Sequence, residues 1–254
     1  MTHTYKPSIV PIITARGGSK GLPRKNIHPI NGLPMIGYSI NAAKNSKYLT
    51  ESPLVSTDDP EIARISKNLG ARVPFIRPPE LATDETTIHP VLIHALNWLQ
   101  TNDGYNPEYV MLLQPTSPLR TSHDIDSAIE LAIDNNADSV VSVCTSQHHP
   151  YLSKSIVNGK LSNFLELDRT YNRRQEFPDL YVLNGAIYLV KPEILVQHQT
   201  FYTDNTYGYI MPSERSIDID SQFDMDIAEF IIMRHEQHST HDRTDSNGGN
   251  STFR

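Results

Sequence analysis

Short apolar runs alternate with amphipathic stretches along more than half of the chain. The apolar runs have the length of buried strands, whereas the amphipathic stretches repeat their apolar residues at helical spacing. The predicted strands are Ser8–Thr14, Leu54–Thr57, Val73–Ile76, Tyr109–Leu113 and Ser139–Val143, and the predicted helices are Met35–Ala43, Asp59–Leu69, Thr87–Leu99 and Ser122–Ile133. This alternation predicts an α/β fold in which helices cover both faces of a mostly parallel, doubly wound sheet.

The alternation breaks after the strand that ends at Val143. Residues 146–183 are polar with only short apolar pieces, and we interpret them as an insertion, either a lid or a dimerisation arm. Beyond it, Asn184–Val190 is predicted as a strand and Asp224–His235 as the last helix. From Ser239 the chain is rich in small polar residues and charge, so we predict one domain over residues 1–238 and a disordered tail over residues 239–254.

Composition narrows the possible functions. The 254 residues are 38% hydrophobic and 20% charged, which is typical of a globular protein. The single cysteine, Cys144, excludes an intramolecular disulfide, and we expect it to be a buried apolar residue. No apolar run approaches the roughly 20 residues that span a bilayer, and the first residues do not resemble a secretory signal. We therefore expect a cytoplasmic protein without a membrane partner, and the net charge of -7 argues against a nucleic-acid partner bound through a broad basic surface.

The segment Ala15–Asn26, with the sequence ARGGSKGLPRKN, directly follows the first predicted strand. In open α/β sheets, ligands bind beyond the carboxyl ends of strands. Three glycines let backbone N–H groups approach a phosphate, and Arg16, Lys20, Arg24 and Lys25 supply positive charge. The alternative, a solvated surface turn, does not account for this combination. The segment also differs from the P-loop and from the dinucleotide-binding fingerprint. We therefore expect a polyphosphate site of another kind.

Six segments together resemble the CMP-sialic acid synthetases, or acylneuraminate cytidylyltransferases. They are ARGGSKGLPRKN (Ala15–Asn26), VSTDDPEIA (Val55–Ala63), RPPELATDET (Arg77–Thr86), LLQPTSPLR (Leu112–Arg120), NGAIYLV (Asn184–Val190) and SIDIDSQFD (Ser216–Asp224), in the family's order. The resemblance implies a Rossmann-like nucleotidyltransferase fold with a dimerisation insertion, and hence a homodimer. It also implies transfer of CMP from CTP to the anomeric hydroxyl of a nonulosonic acid, with release of pyrophosphate.

The resemblance assigns the CTP side of the site. Arg16, Lys20 and Lys25 are expected to hold the triphosphate and to stabilise charge on the departing pyrophosphate. The wider set of expected CTP contacts comprises Ala15, Arg16, Gly17, Ser19, Lys20, Lys25, Asn26, Arg77 and Thr86.

Two aspartates, Asp218 and Asp220, alternate with isoleucines, so a strand would turn both carboxylates to one face. Oxygen donors on one face suit Mg²⁺. By themselves, these residues are better explained as the outer face of an edge strand. The resemblance favours the metal instead, because the matching pair in the family binds the catalytic ion. We expect Mg²⁺ as cofactor and Asp220 among the catalytic residues.

The resemblance also assigns a sugar side, with Gln114, Arg174, Asn184, Tyr188, Phe201 and Tyr202 as the expected contacts. An arginine such as Arg174 suits a sugar carboxylate because its planar guanidinium donates two parallel hydrogen bonds. The alternatives are a solvated loop around Arg174, a strand-to-helix connection after Gln114 with a solvated Arg120, and core packing of the aromatic residues. His148 and His149 are interpreted as structural.

One departure from the family leaves the sugar open. Many similar sequences carry an arginine near the start of the NGAIY motif, where this chain has Tyr181-Val182-Leu183. The sugar is N-acetylneuraminate, legionaminate or a related nonulosonate, and Gly21 favours this branch over the pseudaminate one. A Kdo-activating enzyme fits less well. A non-catalytic nucleotide-binding module is the alternative from another class, although the intact Asp218, Asp220, Lys20 and Lys25 argue against it.

Overall fold

A six-stranded sheet forms the centre of the structure, a computed structural model that describes residues 5–19, 21–146, 148–165 and 177–245. The described strands are β1 (Ile9–Thr14), β2 (Pro29–Ile30), β3 (Leu33–Pro34), β4 (Leu54–Ser56), β5 (Tyr109–Leu113), β6 (Ser139–Thr145), β7 (Lys154–Val157), β8 (Lys160–Asn163), β9 (Tyr181–Val190) and β10 (Thr206–Ile210). The order in the main sheet is β10-β6-β9-β5-β1-β4, while β2-β3 and β7-β8 are separate two-stranded sheets.

Helices connect most of these strands. Their bounds are α1 (Met35–Lys44), α2 (Pro60–Asn68), α3 (Ile88–Asp103), α4 (Ser122–Asn135), α5 (Pro192–His198) and α6 (Gln222–Asp245). Helix α2 begins as its sequence predicts, because the Asp59 side chain accepts hydrogen bonds from the N–H groups of Glu61 and Ile62 and Pro60 occupies the first turn. Helix α4 begins with a capping box between Thr121 and Asp124.

The main sheet is mostly parallel, as predicted. Strand β1 runs parallel to both β4 and β5, and β10 runs parallel to β6. Strand β9 lies antiparallel between β5 and β6. Its first residues therefore lie at the edge of the sheet where the parallel strands end.

The sheet is covered on both faces, which confirms the doubly wound prediction. Alternate residues of β1 enter different cores: Ile13 packs with residues of α1, α2 and α4, whereas Ile12 packs with residues of α3 and α5. A third, smaller cluster places Met225 of α6 beside Leu22, Leu119 and Ile219. Helix α6 therefore packs close to the segments predicted to bind the ligand.

Three secondary-structure predictions differ from the structure. Val73–Ile76 is not a strand, and only the neighbouring Arg72 forms an isolated bridge, because Pro74 lacks the N–H that a ladder requires. Strand β9 begins at Tyr181, so the insertion ends before residue 183; the apolar Tyr181, Val182 and Leu183 pair with the end of β6. Helix α6 continues to Asp245, inside the predicted tail, because no glycine or proline interrupts it before Gly248. Residues 246–254 lie outside the described part.

The part of the chain that the structure describes contains no helix long and apolar enough to cross a membrane.

Candidate active site

A cleft of about 510 Å³ opens at the carboxyl ends of β1 and β5. Four segments of the chain form it: the loop after β1, residues 77–91, the loop after β5 and the acidic segment, which we define as residues 216–220. Long stretches of chain separate these four segments, so the fold alone brings them together. The predicted polyphosphate loop, the acidic segment and one predicted sugar contact, Gln114, therefore lie around one cleft.

The loop after β1 supplies four polar side chains to the cleft. They are Arg16, Ser19, Lys25 and Asn26, which the sequence assigned to CTP. Asn26 is buried, and its side-chain amide donates a hydrogen bond to the Arg16 carbonyl over 2.9 Å, which fixes the start of the loop. Ala15 is fully buried behind the cleft, and its N–H donates to the Ser56 carbonyl. The predicted Lys20 lies outside the described residues.

Two cations that line the cleft each pair with an aspartate. Arg16 contacts Asp84 over 2.6 Å, and the Lys25 ammonium lies 3.1 Å from Asp220. Lys25 also donates to the backbone carbonyl of Ile219 over 2.9 Å. The loop and the acidic segment are thus joined across the cleft, with both charges available to an incoming ligand.

Arg77 and Thr86 line the same cleft from its other side. Arg77 is only 4% exposed, and burial lowers the pKa of its guanidinium against the attraction of Asp58, which lies 3.4 Å away. Its Nε has no hydrogen-bond partner among the described residues. A buried donor without a partner favours a ligand acceptor at this position.

Arg24 does not line the cleft, contrary to the expectation that it supplies charge for a phosphate. Its guanidinium contacts Asp59 over 2.5 Å and also pairs with Glu61. Both acids lie at the start of α2, where Asp59 is already fixed as the helix cap. Arg24 therefore anchors the loop to α2. The Gly17 N–H adds a second anchor by donating to Asp58 over 3.0 Å.

Asp218 and Asp220 line the cleft together, although the acidic segment is not a strand. Ile219 between them is fully buried and its N–H donates to the Thr116 carbonyl over 2.8 Å, so the two carboxylates share the outer side. Asp218 remains open to solvent, yet partial burial raises the pKa of its carboxyl, and the charge of Asp220 adds to the effect. Two carboxylates that repel each other in one cleft attract a cation.

Gly21 lets the loop after β1 approach the acidic segment. A Cβ atom at this position would lie 2.7 Å from the backbone carbonyl oxygen of Asp220, closer than real side chains come. A bulkier residue would push the loop away from the acidic pair. The sequence suggested Gly21 as a mark of one family branch, and the structure supplies a physical reason for the small residue.

Gln114 lines the cleft from the end of β5, as predicted. Its Oε1 lies against Gly185, which has a positive φ of 72°; a Cβ there would be 2.8 Å from that oxygen. Glycine at residue 185 therefore makes room for the Gln114 amide.

Arg120 is buried rather than solvated, and its importance was missed from the sequence. It is 3% exposed and donates to the backbone carbonyls of Gln114 and Ala186 and to the Ser39 hydroxyl. Burial lowers the pKa of its guanidinium to about 10. A charged residue after two prolines resembles a surface loop in sequence, and two of its three partners are far along the chain.

The other predicted sugar contacts are spread around the cleft. Tyr188 packs on the buried Phe201, with ring centroids 4.8 Å apart, and Tyr202 is 50% exposed. Neither these aromatic residues nor Asn184 belong to the lining of the cleft among the described residues. Burial and nearby Tyr202 and Asp218 raise the pKa of the Tyr188 hydroxyl to about 12. The predicted Arg174 lies outside the described residues.

Two of the remaining sequence expectations concern buried residues. Cys144 is buried, as expected. His149 packs its ring against Tyr151 and Phe177, with ring centroids 4.5 and 4.6 Å apart, as a structural histidine does. No group of three or more potential metal ligands was found among His, Cys, Asp and Glu within the described ranges.

Comparisons with known proteins agree with this geometry. A family model described as Cytidylyltransferase matches residues 10–239. The chain is 37% identical over 228 residues to a post-translational flagellin modification protein B of Campylobacter coli, covering 87% of this chain and 93% of that protein. It is 37% identical over 223 residues to a CMP-N,N'-diacetyllegionaminic acid synthase of Campylobacter jejuni, covering 87% and 93%.

An N-acylneuraminate cytidylyltransferase of Streptococcus agalactiae is 37% identical over 215 residues, which are 84% of this chain but only 50% of that protein. The chain thus spans about half the length of this relative. Among solved structures, a CMP:2-keto-3-deoxy-manno-octonic acid synthetase complexed with CTP superposes with a TM-score of 0.67, covering 90% of this chain and 99% of that chain. At 17% identity, this likeness supports the fold.

Proposed function

The chain belongs to the cytidylyltransferase family, and on that premise we propose that it transfers CMP from CTP to the anomeric hydroxyl of an acylated nonulosonic acid. The observation that carries the proposal is the cleft itself. The cations Arg16, Lys25 and Arg77 line it together with the carboxylates of Asp218 and Asp220. Three cations beside an acidic pair suit a nucleoside triphosphate bound with a divalent cation.

In this proposal the triphosphate binds to Arg16, Lys25 and Arg77. Arg16 and Lys25 exchange their aspartate partners for phosphate oxygens, and the unpartnered Nε of Arg77 donates to the nucleotide. Transfer of this kind depends on positioning and charge neutralisation more than on covalent catalysis. Lys20 belongs to the same loop and completes the set of cations that we propose.

The carboxylate oxygens of the acidic pair, Asp218 and Asp220, fit Mg²⁺. This ion prefers oxygen ligands and is usually held by one or two carboxylates together with phosphate oxygens. Burial and, to a lesser extent, the charge of Asp220 raise the pKa of Asp218, and a bound cation would counteract both by stabilising the carboxylate. When bound, Mg²⁺ supplies charge neutralisation at the phosphate. We propose that Asp218 and Asp220 hold it.

The reaction replaces a phosphoanhydride bond of CTP by the phosphodiester bond of a CMP-sugar. The anomeric hydroxyl oxygen of the sugar bonds to the α-phosphorus, the bond to the α–β bridging oxygen breaks, and pyrophosphate leaves with that oxygen. The hydroxyl proton passes to a carboxylate of the acidic pair or to water. Arg16 and Lys25 stabilise the charge that develops on pyrophosphate as it departs.

On the sugar side we propose Gln114 and Arg174 as polar contacts and the aromatic group Tyr188, Phe201 and Tyr202 as the apolar neighbours of an acyl substituent. The relatives named for N-acylneuraminate and for N,N'-diacetyllegionaminate support two candidate sugars. Where similar sequences carry an arginine, Val182 and Leu183 are 43% and 55% exposed here. Neither residue lines the cleft, so we propose N-acetylneuraminate as the first candidate and legionaminate as the second.

We also propose that the protein is cytoplasmic, since CTP is a cytoplasmic metabolite. A homodimer is proposed on separate grounds. Ile156 of β7 and Leu161 of β8 are cross-strand partners, and they are 74% and 73% exposed. An adjacent pair of exposed aliphatic side chains on a hairpin outside the main sheet suits a subunit interface.

A pyrophosphate-release assay tests the proposal. The enzyme is incubated with CTP, UTP, ATP or GTP, with Mg²⁺, and with a panel of nonulosonic acids. We expect release only when CTP and an acylated nonulosonic acid are both present. Asp220→Asn should lower the rate by roughly 100-fold or more, whereas the control Asp226→Asn on the exposed start of α6 should retain it.

A non-catalytic nucleotide-binding module would behave differently. It would bind CTP but release no pyrophosphate with any sugar, and Asp220→Asn would change nothing but binding. That result would refute the proposed function.

A further inference from the structure

Asn184 uses its whole side-chain amide inside the protein. Its Oδ1 accepts from the Ser142 hydroxyl over 2.6 Å and from the Ala186 N–H over 3.2 Å. Its Nδ2 donates to the Ser216 hydroxyl over 2.9 Å and contacts the Met211 sulfur at 3.3 Å. The residue is 4% exposed. An amide has two donors and one acceptor oxygen, so little capacity remains for a sugar.

One of these partners, Ser216, is the first residue of the acidic segment, residues 216–220. The Ser216 hydroxyl accepts from Asn184 and donates to the Pro212 carbonyl over 2.8 Å. Because the acidic segment is not a strand, no ladder of backbone hydrogen bonds fixes it. Side-chain anchors such as this one therefore decide where Asp218 and Asp220 lie.

The residue before Ser216 is anchored independently. The Arg215 guanidinium pairs with the fully buried Asp124 over 2.7 Å, at the start of α4. Ser216 is held by Asn184 of β9, and Ile219 is held by Thr116 of the loop after β5 and by Lys25 of the loop after β1, so the chain around the acidic pair is fastened at several points. Such redundancy is expected where geometry matters for function.

The backbone of Asn184 contacts the loop after β5. Its carbonyl accepts from the Ser117 hydroxyl over 3.3 Å, and the next residue, Gly185, is the one that makes room for Gln114. The pairing of β6 with β9 shifts register between Val141 and Val143, next to this point. Asn184 thus connects the loop after β5 through its backbone with the acidic segment through its side chain.

We propose that Asn184 is a positioning residue that fixes the acidic pair, Asp218 and Asp220, relative to Gln114, and that it does not contact the sugar. The importance of this relative position for catalysis rests on the proposed function. The inference replaces the sequence-based assignment of Asn184 as a sugar contact. The two assignments differ in what Ser216 does, because Ser216 matters only if Asn184 acts through it.

The test compares single variants of the full chain. Asn184→Ala removes the amide, and Ser216→Ala removes only the hydroxyl through which it acts. Ser216→Thr keeps a hydroxyl. Ser46→Ala is the matched control, because Ser46 is a buried serine whose hydroxyl bonds Asp126 and two backbone N–H groups far from the cleft.

Turnover should separate the variants. Misplacing a reacting group by about 1 Å can cost roughly 100-fold, and we expect a loss of that order for Asn184→Ala and roughly 10-fold for Ser216→Ala. Both effects should fall on kcat, with the KM values for CTP and sugar within about twofold, as expected when transition-state stabilisation is lost. Ser216→Thr should recover most of kcat, and Ser46→Ala should keep it. Should Asn184→Ala not fold, Ser216→Ala carries the comparison.

A binding measurement without turnover completes the test. Calorimetry with a CTP analogue whose α–β bridging oxygen is replaced by methylene is performed with Mg²⁺ and with a chelator. The gain in affinity from Mg²⁺ should shrink in Ser216→Ala and persist in Ser46→Ala, while affinity without metal stays the same in both.

Two results would overturn the inference. One is an Asn184→Ala variant with a raised sugar KM beside a Ser216→Ala variant that behaves like wild type, which would return Asn184 to the sugar site. The other is a Ser216→Ala variant that matches Ser46→Ala in kcat and in the effect of Mg²⁺. Failure of the proposed function is distinguishable, because wild-type enzyme would then release no pyrophosphate with any sugar.

Discussion

At the scale of single residues, the cleft holds its cations ready for a polyphosphate by pairing them with aspartates. Arg16 and Asp84 have side chains 34% and 47% exposed, and Asp220 is 79% exposed beside Lys25. Pairs this exposed are worth about 0–1 kcal/mol. A triphosphate carries several charges and can displace them at little cost. The pairs keep the long side chains ordered without closing the site.

Lys25 offers a direct test at this scale. Its ammonium joins the loop after β1 to the acidic segment, so Lys25→Ala removes both the proposed phosphate contact and the link to Ile219 and Asp220. We expect kcat for pyrophosphate release to fall by roughly 100-fold at saturating CTP. The control Lys47→Ala removes an exposed lysine that pairs with Glu130 and should stay within twofold of wild type. Equal rates in the two variants would exclude Lys25 from catalysis.

The types of residue in the sequence identified the charged side chains of the cleft better than the residues that are buried in hydrogen bonds around it. The cleft is lined by four charged residues that the sequence assigned to CTP or to a metal, namely Arg16, Lys25, Asp218 and Asp220. Asn184 was assigned to the sugar side, and its partners Ser142 and Ser216 are 42 and 32 positions away. No local pattern reveals such partners, and Arg120 was missed for the same reason.

At the scale of elements, the start of α4 organises the site although none of its residues lines the cleft. The Asp124 carboxylate accepts from the N–H of the cap residue Thr121, and it also accepts from Arg215, which precedes the acidic segment. Burial alone would raise the pKa of the Asp124 carboxyl, but hydrogen bonds from Arg215 and Thr121 outweigh it and hold the pKa below its usual value. One carboxylate thus joins a helix cap to the position of the acidic pair.

Asp124 also makes stability depend on pH. Because its pKa is lower in the folded than in the unfolded protein, its stabilisation is complete above the unfolded value of about 3.9 and is lost as the pH falls through the folded value. Asp124→Asn should lower the free energy of unfolding at pH 7 by about 3 kcal/mol, since Arg215 loses its buried partner. Urea unfolding of wild type and variant at pH 7 and pH 3 measures both effects.

The difference in the free energy of unfolding between wild type and Asp124→Asn should be smaller at pH 3 than at pH 7. Asp103→Asn, which breaks the half-exposed pair with Arg72, is the control and should cost less than about 1 kcal/mol at either pH. A difference for Asp124→Asn that is the same at both pH values would contradict the assigned pKa shift.

The element order was predictable, whereas several boundaries and one strand direction were not. Apolar periodicity located β1, β4, β5, β6 and all helices from α1 to α4. It missed α5, β10 and the hairpin β7-β8, whose short segments carry too few apolar positions to show a period. The antiparallel direction of β9 follows from the long excursion before it, and a pattern of apolar residues carries no information about direction.

At the scale of the whole molecule, the hairpin β7-β8 leaves apolar surface uncovered outside the main sheet. We expect analytical ultracentrifugation to show a dimer. Leu161→Lys places a charge on the exposed face shared with Ile156 and should shift the protein towards the monomer. Ser162→Lys adds the same charge to the other face of the hairpin and should leave the dimer intact. Equal mass distributions for the two variants would place the interface elsewhere.

The central claim is that the cleft joins CMP to a nonulosonic acid, and the product tests it most directly. A reaction with CTP, Mg²⁺ and N,N'-diacetyllegionaminate or N-acetylneuraminate is followed by ³¹P NMR. We predict that the three resonances of CTP give way to one phosphodiester resonance of a CMP-sugar and to pyrophosphate in equal amounts, with no signal of free CMP at early times. Unchanged CTP with both sugars, or pyrophosphate accompanied by free CMP, would contradict the account.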